Sequence, residues 1–403
     1  MRQTEHCPKL LSSVEIAGRA WPVENLPTGV SLNRRLGVIC ADAVEDAQVI
    51  SPYYADAVLT PRAVKAPNGD HLAFGVVGGL YFSPHVPSNQ ARMWRSTDNG
   101  RTWDEGVDPW QMPNAKEHCL VPFVDPQEPA RIYVIGNASE DSAFEAPMVL
   151  RSSDDSGHTW TEPWQIVPQD DATFPGAPVH MRGGVLSDGT WLWGAYYRQK
   201  GNGNDDRQFV LRSTDRGRQW TILPAPHPDG WQHPEWGKFM ESIAVPTGGR
   251  NAVLYLRAPG GCMYEKRTRD SGLTWSDTAE VPDLVHPDAP PMVFPLTQED
   301  GLIAFIHNRY TAEHPYHYHP DRNALWLATS HDAGQTWSEP RFILAQAKHT
   351  DNPLSLDPDV SYVDLLVDGP ELHLFVSDGQ HQVLYVRFRK DQLSQFPVAA
   401  DIG

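Results

Sequence analysis

One octapeptide recurs five times along this chain, and nothing else in the sequence restricts the fold as sharply. The copies are Ser96-Thr-Asp98-Asn-Gly100-Arg-Thr-Trp103, Ser153-Asp-Asp155-Ser-Gly157-His-Thr-Trp160, Ser213-Thr-Asp215-Arg-Gly217-Arg-Gln-Trp220, Thr268-Arg-Asp270-Ser-Gly272-Leu-Thr-Trp275 and Ser330-His-Asp332-Ala-Gly334-Gln-Thr-Trp337. The Trp-to-Trp spacings are 57, 60, 55 and 62 residues. Each residue type suits a tight turn between two strands. The Asp carboxylate accepts hydrogen bonds from backbone N–H groups of its own turn. Gly supplies a positive φ that a Cβ would oppose. Trp offers a large apolar plate to neighbouring strands. A period of this length holds four ordinary strands and their loops, which is one blade of a β-propeller. The boxes themselves are read as turn-forming elements, not as catalytic groups.

Composition agrees with many short strands joined by turns. The chain has 403 residues with 36 Pro, 31 Gly and 14 Trp, while 40% of residues are hydrophobic and 21% charged. Five boxed units cover roughly residues 55–345, and residues 358–392 read as one more unit. Strand-like residues near the N-terminus (Leu11-Ser-Ser-Val-Glu-Ile-Ala-Gly18) suit ring closure. The expected fold is an all-β, six-bladed propeller, with seven blades if residues 10–50 contribute more than closure. No Gly/Ser linker or charge block divides the sequence. One domain is expected over residues 1–403, residues 1–50 serving to close the ring.

Acidic residues outnumber basic ones by 51 to 33, for a formal charge of −18. Such a surface repels phosphate backbones, so nucleic acid is not an expected partner. No apolar run reaches the length of a membrane-crossing helix, and no membrane partner is expected. The cysteines, at positions 7, 40, 119 and 262, form no C-x-x-C pair and signal neither zinc nor redox chemistry. No nucleotide-binding loop occurs, and no cofactor is expected. The first residues lack an apolar leader core, which makes a cytoplasmic location the default, or a secreted one if a leader has been removed. The oligomeric state is left open.

Propeller topology selects candidate site residues without any alignment. Inner strands begin, and second strands end, on one face of the disc; the box turns lie on the other. Glu241 opens an inner strand and Arg257 closes its return, so the two end side by side. Tyr362 begins the last inner strand. Arg62 follows Pro61 early in the first boxed unit, and His180 and Arg182 hold the equivalent place in the third. Arg322 starts a third strand after the His-rich loop Tyr310–His319, and Arg309 just precedes that loop. The run His314-Pro-Tyr-His-Tyr-His-Pro320 is read as a pocket wall, although its composition also occurs at metal sites.

Beyond its boxes the sequence resembles the sialidase superfamily, whose Asp-box (BNR) repeat matches the octapeptide. Met240–Arg257 is similar to that family's fourth-blade hairpin. The stretch from His314 to Leu344, with Val360–Leu366 after it, is similar to the family's last Arg, box and Tyr segment. The resemblance implies Tyr362 as nucleophile, Glu241 as its activating base, and Arg257 and Arg322 as two members of a carboxylate-binding Arg triad. The implied substrate is the terminal acidic sugar of a glycan. A carboxylate nucleophile would be repelled by such a sugar, whereas a neutral Tyr is not. Paired Arg forks suit its carboxylate. His180 and Arg309 are further substrate-binding candidates.

The N-terminal half departs from the family's pattern. Its Arg-Ile-Pro motif is replaced by Leu59-Thr-Pro61-Arg62, and Arg62 faces the site only if a β-bulge intervenes. The loop that holds the family's acid/base Asp has no Asp or Glu here. His85 within it, or Asp56 before the inner strand, is the candidate proton donor. Ser377-Asp378 stands where the family has the Glu that supports the first Arg. Three activities therefore stay open: an exo-glycosidase for sialic or another ulosonic or uronic acid, a lyase acting on a uronic-acid glycan, or glycan binding without turnover.

Overall fold

The computed structural model describes residues 9–54, 58–78, 90–110, 116–139, 147–167, 179–198, 206–224, 230–297, 301–307, 322–349 and 358–402. Among these, regular structure is almost entirely β, with a 3-10 turn at Lys390–Gln395 and one α-helical turn at Ala399–Ile402 near the C-terminus. Among the described residues, no helix is long and apolar enough to cross a membrane.

The sheets are built mainly from antiparallel meanders of consecutive strands. Val58–Lys65, His71–Val77 and Gln90–Ser96 form the first. Lys116–Val124, Ile132–Ser139, Met148–Ser153 and Trp164–Gln165 form the next. Val179–Val185 leads the meander that ends at Thr221–Leu223, and Met240–Gly248 leads the one that ends at Ala279–Val285. A single parallel pairing, Arg182 with Ile243, joins those two leading strands. Met292–Thr297, Gly301–Ile306, Ala324–Ser330 and Arg341–Gln346 follow, extended by Val38–Ala41 and Val30–Asn33 from the N-terminal segment. The last sheet holds Val360–Asp368, Glu371–Asp378 and Gln382–Arg389, and Asp46–Val49 pairs against its final strand. The two ends of the chain thus share sheets.

The box turns form as the sequence predicts. In the first, Asp98 Oδ1 accepts from the Thr102 amide at 2.8 Å and Oδ2 from the Thr102 hydroxyl at 2.7 Å. Ser96 Oγ accepts from the Gly100 amide at 2.8 Å. These bonds, led by the Thr102 hydroxyl, pull the Asp98 pKa down to about 2. The Thr159 and Thr336 hydroxyls do the same for Asp155 and Asp332, each also held at about 2. Gly100 has φ +79°, and the residue before it, Asn99, is also left-handed at +60°. A Cβ at Gly100 would stand 2.1 Å from the Tyr385 hydroxyl, which ties this turn to the last sheet. The box tryptophans pack between sheets. Trp103 meets Phe375 and Tyr385 edge-on, and Trp220 is fully buried beside Trp191. Trp191 and Trp193, next to the Asp188-Gly189 turn, are buried packing residues.

One feature repeats in the leading strands. Register slips by one residue between Leu59 and Arg62, His118 and Val121, His180 and Gly183, Met240 and Ser242, and Ser361 and Asp364. Each is a β-bulge near the strand's first residues. Thr60, Cys119 and Tyr362 take left-handed φ values of +45°, +50° and +52° there. Such angles are uncommon for side chains of this bulk and persist only where surrounding structure enforces them.

Candidate active site

The bulges decide which side chains converge. Leu59 pairs with Val76 and Arg62 with Phe74, so three residues of one strand match two of the next. The extra residue hands Arg62 the side that strict alternation would give Pro61. In the last sheet Ser361 pairs with Ser377 and Asp364 with Phe375, which places the same irregularity at Tyr362. Glu241 is itself the unpaired residue between Met240 and Ser242.

Tyr362 and Glu241 meet. The Tyr362 hydroxyl donates to Glu241 Oε1 at 3.2 Å, and both side chains are buried. Glu241 Oε2 accepts from Arg257 Nη1. Arg257 Nε donates to Asp288 Oδ1 at 2.7 Å, and Arg322 Nη2 donates to the Asp288 carbonyl at 2.7 Å. Asp288 therefore holds two arginines, one through its side chain and one through its backbone. Burial works against the Asp288 charge, but the charge and hydrogen bond of Arg257 outweigh it and hold its pKa below the usual carboxylate value.

Burial raises the Tyr362 pKa well above that of a free phenol, and the Glu241 charge raises it further; Arg257 and Arg322 oppose both. The group is thus a neutral phenol whose proton already points at a carboxylate. Arg62 lies against the same strand. Its Nη1 donates to the Pro61 carbonyl at 2.9 Å and reaches the Tyr362 and Val363 carbonyls at 3.5 Å. Burial lowers the Arg62 pKa, and the Asp364 carboxylate is the largest charge opposing that shift.

Asp364 sits two residues beyond Tyr362 with a fully buried side chain. It accepts from the Ala63 amide at 2.7 Å and from Arg182 Nη1 at 2.6 Å. Arg182 also lines a cavity of about 460 Å³, together with Ala63, Ile243, Phe294 and Leu365. Sequence reasoning placed Arg182 near the site but passed over Asp364 and Asp288. The signal for Asp364 was present, since it is a lone charge inside the apolar run Val360–Val367. Asp288 lies between Pro287 and Ala289 in an irregular segment and carries no such pattern.

One expectation needs correction. Asp378 does not support Arg62. It pairs with Lys348 and accepts from Gln346, while Asp364 supplies the carboxylate charge near Arg62. The reason is the bulge, which turns Arg62 toward the Tyr362 strand. His180 lies on its strand with its backbone paired to Ala195. Asp56, His85, Arg309 and the His314–His319 run lie outside the described residues.

The fold has many solved relatives at low identity. A Hadza microbial sialidase, Hz136, is 18% identical with a TM-score of 0.61; the match covers 83% of this chain and 66% of that one. The intramolecular trans-sialidase from Ruminococcus gnavus is 12% identical with a TM-score of 0.63, covering 89% of this chain and all of the other. A protein of unknown function from Dyadobacter fermentans DSM 18053 is 15% identical with a TM-score of 0.63, covering 88% and 100%. No curated protein matches the chain. At these identities the likeness concerns the fold. The BNR repeat-like domain model matches residues 108–374, well over half of the sequence. With five Asp-boxes and that match, the chain belongs to the BNR repeat-like domain family.

Proposed function

We propose that the chain is an exo-acting glycosidase that releases a terminal acidic sugar, sialic acid or a related ulosonic or uronic acid, with retention of configuration. It does so on a single six-bladed toroid, closed where Asp46–Val49 pairs with Gln382–Arg389. The contact of the Tyr362 hydroxyl with Glu241, beside Arg257 and Arg322, is the observation that carries this reading.

In the first step Tyr362 Oη attacks the anomeric carbon as the glycosidic bond breaks. The raised pKa makes free phenolate scarce, so the proton passes to Glu241 during the attack. The leaving oxygen takes its proton from His85 or Asp56. Water then attacks the tyrosyl intermediate while passing its proton to the now deprotonated His85 or Asp56, and Tyr362 departs as a phenol by recovering the proton from Glu241. Arg257, Arg322 and Arg62 take the sugar carboxylate, and His180 and Arg309 contact the rest of the ring. That structural neighbours include a sialidase and an intramolecular trans-sialidase supports this chemistry.

The test is a panel of chromogenic aryl ketosides and uronides, with the product anomer followed by NMR. The wild-type chain is expected to release the retained anomer, and Tyr362→Phe to lose at least about 1000-fold in kcat/KM. Unsaturated-uronate absorbance in place of hydrolysis would identify a lyase. Saturable binding without turnover of any substrate would identify a glycan-binding propeller. Either result replaces the reading.

A further inference from the structure

A second chemically distinctive cluster lies at the other end of the Tyr362 strand. We propose that His71, Asp368 and His373 form a binding site for one divalent transition cation, best matched by zinc. One ligand atom from each lies within 4.8 Å of the other two, and these residues are the one such His/Cys/Asp/Glu group among the described residues. His71 opens the strand His71–Val77, Asp368 ends Val360–Asp368, and His373 is third in Glu371–Asp378. Six residues of extended chain, about 20 Å, separate Asp368 from Tyr362, so the cluster is not part of the phenol–carboxylate site.

Several observations point to a ligand. Both imidazoles have fully buried side chains, while Asp368 keeps a fifth of its side chain open to solvent. His71 Nε2 lies 3.1 Å from Asp368 Oδ2. His373 Nδ1 lies 2.7 Å from the Tyr385 hydroxyl. Its Nε2 has no hydrogen-bond partner, and neither has His71 Nδ1. A buried polar atom left without a partner costs about 1–3 kcal/mol, so the open Nε2 of His373 calls for an occupant.

With Nδ1–H donated to the Tyr385 oxygen, His373 presents its Nε2 lone pair, the arrangement by which outer groups orient metal-bound histidines. Two imidazole nitrogens and one carboxylate suit zinc and similar ions, not calcium or magnesium. Glu371 Oε2, 3.9 Å from His373 Nε2, offers a further oxygen. Lys65 Nζ holds Asp368 Oδ1 at 2.6 Å, but its side chain is 43% exposed and can withdraw to solvent. Small side-chain rotations then bring the ligand atoms to zinc-bond distances of about 2.0–2.2 Å. The ion would join the sheet that opens the boxed repeats to the sheet that ends the chain, a role in holding the fold closed.

The experiment uses the full chain, freed of metal with chelator and titrated with zinc sulfate, with cobalt(II) absorbance as a second probe. Wild type is expected to bind zinc with a concentration-dependent rise in Tm. His373→Gln is expected to lose one equivalent, along with the tetrahedral cobalt bands. Asp368→Asn, at a partly exposed position, repeats the test should the buried variant fail to fold. Tyr385→Phe is expected to weaken zinc roughly 10- to 100-fold. A chain with His314, His317 and His319 all changed to Gln keeps this equivalent. The proposal is overturned if zinc binds no tighter than millimolar, or if the equivalent persists in Asp368→Asn and disappears with the three loop histidines.

Discussion

Glu241 receives the Tyr362 hydroxyl on one oxygen and the Arg257 guanidinium on the other. The carboxylate is therefore oriented by the same arginine that would bind a substrate anion, which couples stability to activity at one residue. Glu241→Gln keeps the shape but removes the charge between Arg257 and the phenol. Arg257 retains Asp288, so the expected destabilisation is about 1–3 kcal/mol and not the full cost of an orphaned buried cation. Urea unfolding measures it, and a loss beyond about 5 kcal/mol would show that Asp288 does not hold the arginine.

Arg182 and Asp364 form a second buried pair, and its energetics are asymmetric. Arg182→Ala leaves the Asp364 carboxylate, wholly out of water, with the Ala63 amide and the charge of Arg62. A loss of about 3 kcal/mol is expected. The double change Arg182→Met with Asp364→Leu is expected to cost less than the sum of the single changes, because no charge is then stranded. Additive losses in a denaturant cycle would contradict this account of the pair.

The architecture was legible because its signal is local and repeated: a turn that needs Asp, Gly and Trp at fixed offsets states its chemistry five times. Glu241, Arg257, Arg322 and Tyr362 were legible from topology and resemblance together, since strand ends on one face come near one another. Asp288 was not legible, because nothing in Pro287-Asp-Ala says that an irregular segment will reach back to two arginines. Arg62 was legible only conditionally. A bulge costs one residue and leaves no compositional trace, yet it decides which side of the strand a side chain occupies. The same gap misplaced the carboxylate near Arg62, read as Asp378 from position and found as Asp364 from register.

The boxes differ at one position, and that difference is measurable. Four copies carry Thr two residues after the Gly, and its hydroxyl donates to the Asp at 2.6–2.7 Å. The third has Gln219, whose amide donates to Asp215 at 2.9 Å. Gln219→Thr is expected to stabilise the chain by about 0.5–1 kcal/mol, and Thr102→Val to cost about the same, since both turns are solvent-exposed. Thermal or urea midpoints read both. A destabilising Gln219→Thr would mean that the third turn cannot seat the hydroxyl.

Acid should weaken the fold through histidines that are buried without charge. Burial pulls the His286 pKa down to about 3, with Arg322 and Arg257 adding to the shift while the Pro290 carbonyl and Asp288 oppose it. Its stacked neighbour His307 is also held well below its ordinary value by burial, then by His286 and Arg322. In the unfolded chain both titrate near 6.5, so between that pH and their folded values the unfolded state binds more protons. Stability from these two groups is fully present above pH 6.5 and is lost as pH falls toward 3, at up to about 1.4 kcal/mol per pH unit for each. Urea midpoints from pH 8 to pH 5 are expected to be flat above 7 and to fall below 6.5. His286→Gln is expected to shallow that fall, and an unchanged acid limb in the variant would remove His286 as its source.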